Sequence, residues 1–222
     1  MPPSATASSG ASTTGRSASA SSAPEAARAE LVAFGRRLAA AGYVVGADGN
    51  LSVRDGEGML ISPTRLAYAQ TRPEDIVAVA ADGSWSAPLP PSSERGVHAA
   101  IYAARPDVGA VVHAHPVYAC VLAVAGEPLP PVLDELLPVL GGPVAVAEHV
   151  AAGDPGLAAA AVRALAARHA VLLAQHGSVT VGRDLEEAFY RLEVLERAAQ
   201  VHVLSTLLAR RVRLAPPAGS GA

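Results

Sequence analysis

The chain has 222 residues, half of them hydrophobic, with seventeen basic side chains, twenty acidic ones and a formal net charge of −3. That composition is sufficient for one substantial core. No stretch holds about five like charges in a row, so we expect no nucleic-acid partner. No run of roughly eighteen apolar residues is free of charge and proline, so we expect no membrane-spanning segment.

The identity of the basic and sulfur-containing residues excludes several chemistries. All seventeen basic residues are arginine, and Cys120 is the single cysteine. Without lysine, Schiff-base catalysis is excluded apart from the chain's own N-terminus, and so is a Walker-type phosphate loop. One cysteine allows neither an intrachain disulfide nor a cysteine-based zinc cluster. Carbonyl chemistry would therefore need a metal held by His, Asp or Glu.

Low-complexity segments flank the part of the chain that can fold. Residues 1–23 are rich in Ser, Ala and Thr and have little to bury, so we predict a disordered tail. The ordered domain is predicted over 24–213, and 214–222 form a second tail. The N-terminus lacks a charged start followed by an apolar stretch, so we expect no secretory signal and a cytoplasmic location.

In chain order, the first half alternates a helix with short strands. A helix is predicted over 24–42, because a proline begins the segment and a glycine ends it. Three strands with turn residues between them follow, at 51–54, 59–62 and 76–80. A second helix is predicted over 90–107, with serines and a glutamate in its first turn.

The second half continues the alternation within the same domain, which predicts an α/β or α+β class. The last helix has an apolar stripe on one face and an Asp-x-x-Glu start. The predicted elements are strands over 108–115, 143–148, 170–175 and 178–182, helices over 115–126, 153–169 and 184–211, and a loop over 129–142.

Three histidines fall at the ends of predicted core strands. His113 and His115 are two residues apart, so on an extended chain they point the same way, about 6.5–7 Å apart. His176 ends another strand. Three imidazoles that leave a fourth position open are typical of a catalytic zinc site. The alternative is polar side chains at strand ends, satisfied by backbone or water.

A polar segment before the second predicted helix could bind an anion. Ser92 and Ser93 are natural helix caps, but hydroxyls and free N–H groups at a helix start also bind phosphate. Glu94 supplies a carboxylate there, whose simplest role is to favour the helix dipole. Asn50 and Thr64 are polar residues at strand edges and are, taken alone, ordinary turn residues.

Five short motifs occur in the order and spacing of the class II aldolase/adducin family, which the chain resembles from about residue 25 to 212. Within that family the sequence resembles the L-fuculose-1-phosphate aldolases. The motifs are GNLSVR at 49–54, ISPT at 61–64, PPSSE at 90–94, VVHAHP at 111–116 and LLAQHG at 172–177. The resemblance implies a single α/β/α sandwich domain, with a central, largely antiparallel sheet flanked by helices, and a homotetramer.

The resemblance also implies roles for individual residues. His113, His115 and His176 would be the ligands of Zn²⁺, with Mn²⁺ or Co²⁺ as alternatives. Glu94 would be the catalytic acid/base, and would close the metal's fourth position when no substrate is bound. Asn50, Thr64, Ser92 and Ser93 match the phosphate-binding positions. His98, one turn beyond Glu94, either orients that carboxylate or is a packed structural histidine.

The activity implied is that of a metal-dependent aldehyde-lyase. It cleaves or forms a carbon–carbon bond in a phosphorylated ketose through a metal-stabilised enediolate. Alternatives on the same fold are a sugar-phosphate 4-epimerase, a dehydratase or a decarboxylase, and a non-catalytic adducin-like scaffold is a further one. The partner expected is a small sugar phosphate or a related hydroxy-carbonyl compound.

The sequence departs from the family's aldolase pattern at two places. Arg65 stands where the aldolase has a glycine, and could either contact the substrate's phosphate or exclude it. The aldolase carries a tyrosine in the loop that here reads LDELLPVLGG, where Asp134 or Glu135 lies nearest. The aldehyde end of the substrate is therefore expected to be handled differently.

Overall fold

The structure is a computed structural model that describes residues 23–211. The predicted tails, 1–23 and 214–222, lie outside the described residues, apart from Ala23, which opens the first helix. Among the described helices none combines the length and the hydropathy that crossing a membrane requires.

One seven-stranded sheet runs through the described chain in the order β3-β2-β1-β4-β7-β6-β5. Neighbouring strands are antiparallel except β5 and β6, which are parallel. The strands are β1 (Asn50–Asp55), β2 (Gly58–Ile61), β3 (Val77–Val79), β4 (Ala110–Ala114), β5 (Val146–Ala147), β6 (Ala170–Leu173) and β7 (Gly177–Gly182).

Helices cover both faces of the sheet, which confirms the predicted α/β/α sandwich. Helices α1, α3, α4 and α6 pack on one face, and α2 and α5 pack on the other. The helices are α1 (Ala23–Ala40), α2 (Arg95–Ala104), α3 (Val117–Ala125), α4 (Leu136–Leu140), α5 (Gly156–Leu165) and α6 (Leu185–Arg211), with a 3₁₀ turn at Pro73–Asp75.

Every residue of β4 is buried, because alternate side chains enter the two opposite layers. Ala110, Val112 and Ala114 join the core beneath α1, α3 and α6, whereas Val111 joins the core beneath α2 and α5. His113 is two residues beyond Val111 and therefore shares the α2 face of the sheet. Its register partner on β1 is Asn50.

Two expectations about element boundaries were wrong. The predicted loop over 129–142 contains α4, because burial of Leu136 and Leu140 favours a helical turn, which Gly141 ends with a φ of 77°. Helix α2 begins at Arg95 rather than near residue 90, and Glu94 takes its N-cap position. The serines before Glu94 therefore lie outside the helix.

His115 and His176 stand beyond strand ends and not within strands. Strand β4 ends at Ala114, because the His115 N–H donates to the Tyr43 carbonyl at 2.8 Å instead of continuing the ladder. His176 lies in the turn between β6 and β7. Gln175, just before it, has a left-handed φ of 57°.

A side chain of α6 secures the start of α3. The Glu196 carboxylate accepts the backbone N–H groups of Tyr118 and Ala119 at 2.9 and 2.8 Å. Burial raises the pKa of Glu196. Since α3 begins two residues after His115, this contact ties the segment that carries His115 to the last helix.

Candidate metal and substrate site

Three imidazole rings converge beyond the ends of β4 and β6. The ring centroids of His113, His115 and His176 are 4.8, 4.8 and 5.3 Å apart, and one nitrogen of each lies within 4.8 Å of the others. The closest pair is Nε2 of His113 and Nε2 of His115, at 3.1 Å. The structure thus brings together the three histidines that the sequence singles out.

A backbone contact orients the most buried ring. His113 donates through Nδ1 to the Ser178 carbonyl on β7 at 2.9 Å, which leaves Nε2 to face the other two rings. A second hydrogen bond of this kind is what fixes the tautomer of a metal-binding histidine.

Gly177 makes room for these rings. A Cβ atom at this position would lie 2.4 Å from Cδ2 of His115, 2.7 Å from the Ala114 carbonyl oxygen and 3.3 Å from Cε1 of His113. Any side chain larger than hydrogen would therefore push the imidazoles apart. The glycine of the LLAQHG motif has a steric reason to be there.

The Glu94 carboxylate closes the open side of the histidine cluster. Its Oε2 lies 3.1 Å from Nε2 of His113 and accepts a hydrogen bond from Nδ2 of Asn50 at 2.9 Å. Its Oε1 lies 3.3 Å from Nε2 of His176 but is buried without a hydrogen-bond partner among the described residues. Both oxygens therefore face the cluster, and the Asn50 amide holds one of them.

The protonation of His115, His176 and Glu94 favours cation binding at neutral pH. Burial and the nearby charge of His113 lower the pKa of His115 to about 4 and also lower that of His176. Burial alone would raise the pKa of Glu94, but hydrogen bonding and charge from His113, the charge of His176 and the Asn50 amide hold it at about 2. Neutral imidazoles and an ionised carboxylate are the forms that bind a divalent metal.

The donor set fits a metal ion. Imidazole nitrogens and carboxylate oxygens approach one another to 3.1–3.3 Å, and the unpartnered Oε1 of Glu94 faces them. A divalent cation at the centre would satisfy lone pairs that otherwise repel one another. The ligand types suit zinc and similar borderline ions, with three imidazoles and one carboxylate.

A pocket of about 410 Å³ opens beside the cluster. Every predicted site residue except His113, which lies deeper, contributes to its wall: Asn50, Thr64, Ser92, Ser93, Glu94, His115 and His176. Two loops meet there, because the Thr64 N–H donates to the Pro90 carbonyl and the Ser92 N–H donates to the Ser62 carbonyl, each at 3.1 Å.

The polar residues of the pocket differ in burial and in whether they already make hydrogen bonds within the protein. Ser92 is buried, and its hydroxyl accepts the Glu94 N–H at 3.2 Å. Ser93 is exposed and Thr64 is half-buried. Arg65, also in the wall, holds a left-handed φ of 59°.

Sequence reasoning missed two parts of this wall. Asp48 and the turn at residues 152–153 line the pocket, and neither was predicted from sequence to belong to the site. Asp134 and Glu135 are exposed and lie outside the pocket of their own chain. They do not join the histidine cluster within one subunit.

The chain is similar to one protein family and to several of its members. A family model described as the Class II Aldolase and Adducin N-terminal domain matches residues 29–203. The chain is 40% identical over 171 residues to the 5-methylthioribulose-1-phosphate/5-deoxyribulose-1-phosphate aldolase of Rhodospirillum rubrum, covering 77% of each protein. It is 34% identical over 181 residues to the 3-oxo-tetronate 4-phosphate decarboxylase of Cupriavidus necator, covering 78% of this chain and 82% of that protein.

A solved structure gives the same result for the fold. The chain superimposes on an L-fuculose 1-phosphate aldolase with a TM-score of 0.80 and 35% sequence identity, covering 89% of this chain and 92% of the other.

Replacing Gly177 with alanine should disrupt the cluster and also lower stability, because the new Cβ would lie too close to the Ala114 carbonyl oxygen. The new Cβ must displace the His115 ring, so we expect zinc affinity to fall about 10–100-fold, as when the orientation of a metal ligand is lost. Competition with a chromogenic chelator measures this. Gly96→Ala is the matched control, because a Cβ added there would meet no described atom within 4 Å beyond its own helix. Unchanged zinc affinity in Gly177→Ala would contradict the proposed geometry.

Proposed function

Because the chain belongs to the class II aldolase and adducin family, as its motifs predicted, we propose that it is a metal-dependent aldolase that cleaves a ketose 1-phosphate. The observation that carries this proposal is the Glu94 carboxylate, set against three converging imidazoles inside a polar pocket. A scaffold protein would have no need to bury these groups together.

The substrates named for the similar proteins share one fragment. Cleavage of a 2-ketose 1-phosphate between C3 and C4 leaves dihydroxyacetone phosphate and an aldehyde. Loss of carbon dioxide from a 3-oxo-tetronate 4-phosphate leaves the same three-carbon phosphate. We therefore propose that this pocket recognises the phosphate, the ketone and the neighbouring hydroxyl, and that the departing part decides the reaction.

The histidine cluster would supply the charge stabilisation that a lysine would otherwise provide. A divalent cation held by His113, His115 and His176 would polarise the ketone and stabilise the negative charge that develops on its oxygen. Zinc is the proposed ion, with manganese or cobalt as alternatives. The absence of lysine from the chain agrees with this assignment.

Glu94 is proposed as the proton carrier. When the C3–C4 bond breaks, the C4 hydroxyl loses its proton and becomes the aldehyde, and C3 must then receive a proton. The unpartnered Oε1 of Glu94 faces the cluster and can hold that proton, while Oε2 stays bound to Asn50. In the synthetic direction the same oxygen removes the proton from carbon.

The phosphate is proposed to bind in the outer part of the pocket. Asn50 and Ser92 are already engaged with Glu94, whereas the hydroxyls of Thr64 and Ser93 make no hydrogen bond to other described residues. Arg65 adds a positive charge beside them, and within the described residues no carboxylate pairs with it. Its left-handed backbone costs about 1 kcal/mol in a non-glycine residue, which favours a functional reason for the side chain.

Decarboxylation is the second candidate, because a 3-oxo-tetronate 4-phosphate decarboxylase is among the similar proteins. It needs the same cluster and the same phosphate contacts. It differs in the group that leaves, so a substrate panel separates the two activities. Epimerisation and dehydration are covered by the same panel.

The family resemblance implies a homotetramer, and we propose that the surface beside His115 is one of its interfaces. Val117, Val121 and Val124 form an apolar stripe on α3 and are 63%, 44% and 67% exposed. Together with His115 and Cys120 they line a shallow apolar depression. A contiguous apolar patch of this kind is typical of a protein–protein interface.

The function is tested with zinc-loaded protein and a panel of 5-deoxyribulose 1-phosphate, L-fuculose 1-phosphate, 3-oxo-tetronate 4-phosphate and unphosphorylated analogues. We expect cleavage of a ketose 1-phosphate and, with dihydroxyacetone phosphate in deuterated water, exchange of one hydrogen at the hydroxymethyl carbon. Glu94→Gln should lower both rates by roughly 10²–10⁴-fold and keep its zinc. His176→Ala should lose zinc and activity together.

Zinc-loaded protein that turns over no member of the panel would refute the aldolase proposal. A Glu94→Gln protein with normal turnover would move the proton carrier to another residue.

Replacing Arg65 with glycine tests the phosphate contact. We expect KM for the ketose 1-phosphate to rise about tenfold or more, because a charge-assisted hydrogen bond is lost, with little change for unphosphorylated analogues. The unfolding free energy should rise by up to about 1 kcal/mol, because glycine adopts a positive φ without strain. Ala166→Gly, which relieves a left-handed residue outside the pocket wall, is the control. A lower KM in Arg65→Gly would show that the arginine obstructs the phosphate.

The assembly is tested by light scattering. The unmodified chain should have the mass of a tetramer at micromolar concentration, and Val121→Glu with Val124→Glu should reduce it, because buried charge destabilises an interface. A monomeric unmodified chain would refute the proposal.

A further inference from the structure

Beneath Glu94, we propose that four residues form one directed hydrogen-bond chain that fixes the orientation of its carboxylate. The chain runs from Tyr102 through Ser52, His98 and Asn50 to Glu94, and His98 is its positioning residue. This inference rests on the proposed function for the role of Glu94 as proton carrier.

The chain exists because a helix and a strand match in spacing. Glu94, His98 and Tyr102 are four residues apart, so they lie in one row along α2 and its N-cap. Asn50 and Ser52 are two residues apart and share one face of β1. Four helical residues rise about 6 Å and two strand residues about 6.7 Å, so the two rows interleave.

Each link is a hydrogen bond between neighbouring members of the two rows. The Tyr102 hydroxyl lies 2.8 Å from Oγ of Ser52, which lies 2.6 Å from Nδ1 of His98. Nε2 of His98 is hydrogen-bonded to Oδ1 of Asn50. Nδ2 of Asn50 donates to Oε2 of Glu94 at 2.9 Å. Ser52 and His98 are both 0% exposed, so no water competes for these links.

The ionised carboxylate at one end determines which group donates and which accepts in every hydrogen bond of this hydrogen-bond chain. An ionised carboxylate only accepts, so Asn50 must present its N–H₂ to Glu94 and its carbonyl to His98. His98 must then donate through Nε2, which leaves Nδ1 as an acceptor for the Ser52 hydroxyl. The Ser52 oxygen in turn accepts the Tyr102 proton. All four hydrogen bonds therefore point toward Glu94.

Reversing any link would repel the carboxylate. If His98 carried its proton on Nδ1, the Asn50 amide would turn over and place its carbonyl against Oε2 of Glu94. His98 thus fixes the Asn50 amide in the orientation that donates to Oε2 of Glu94. This leaves Oε1 available for proton transfer. Burial and the charge of His113 lower the pKa of His98 to about 3, so its ring is neutral at physiological pH.

His98 acts through another residue and not on substrate. Neither His98 nor Ser52 lines the pocket, and neither belongs to the histidine cluster. Removing the link should therefore change how fast protons move and not how tightly substrate or zinc binds.

Kinetics of two His98 variants test the proposal. His98→Met keeps an apolar volume but removes both links, and we expect kcat for dihydroxyacetone phosphate exchange to fall about 10–100-fold, as for other lost supporting contacts. KM should change by less than about threefold and zinc content should not change. His98→Gln can donate and accept at similar positions and should recover most of kcat. Ser52→Ala and Tyr102→Phe test the outer links if His98→Met does not fold.

Thr180→Val is the matched control, because Thr180 is also fully buried and its hydroxyl donates to the Ala188 carbonyl on the opposite face of the sheet. It should lower thermal stability and leave kcat unchanged. Normal kcat in His98→Met, or failure of His98→Gln to improve on it, would overturn the proposal.

A spectroscopic measurement tests the direction of this hydrogen-bond chain without an activity assay. In metal-free protein labelled with ¹⁵N at histidine, we expect the resonance that disappears in His98→Gln to be neutral imidazole protonated on Nε2. Ser52→Ala should keep the Nε2-protonated form, because the link from Glu94 through Asn50 still requires His98 to donate through Nε2. An imidazolium, or the Nδ1 form in the unmodified protein, would overturn the inference even if the enzyme is active. Lack of activity with the expected tautomer would refute the proposed function alone.

Discussion

The antiparallel pairing of β4 with both β1 and β7 is the constraint on which the site depends. Its register sets Asn50 opposite His113 on one side and Ala114 opposite Ser178 on the other. A slip of one residue would turn His113 to the face covered by α6, where the core is apolar. The apolar alternation of three strands therefore determines where the imidazole points, and the chemistry of the pocket follows from the packing of the sheet.

Polar groups are tolerated inside this core because nearly all of them are paired. A buried donor or acceptor left without a partner costs about 1–3 kcal/mol. His98, Ser52 and Asn50 avoid that cost by bonding to one another, and His113 avoids it by donating to a β7 carbonyl. Among the described residues the exceptions are Oε1 of Glu94, Nδ1 of His176 and the Tyr68 hydroxyl. Two of these three atoms belong to residues of the candidate metal site.

Much of the fold, but only part of the site, was predictable from sequence. Periodicity located the strands, and the H-x-H pair with His176 located the cluster. The position of His115 and His176 beyond strand ends was not predictable, because a tertiary contact to Tyr43 ends β4 and a left-handed Gln175 shapes the turn. The engagement of Asn50 with Glu94 joins residues 44 apart in the chain. No local pattern encodes such a contact.

The Glu196 carboxylate affects the order in which parts of the structure can form during synthesis. It holds the start of α3, 78 residues earlier in the chain, and α3 directly follows the segment that carries His115. A chain leaving the ribosome presents the His113–His115 pair first, His176 later and Glu196 last. A nascent chain that ends before Glu196 has no carboxylate to secure α3. The segment that follows His115 is therefore secured only when the last helix has docked.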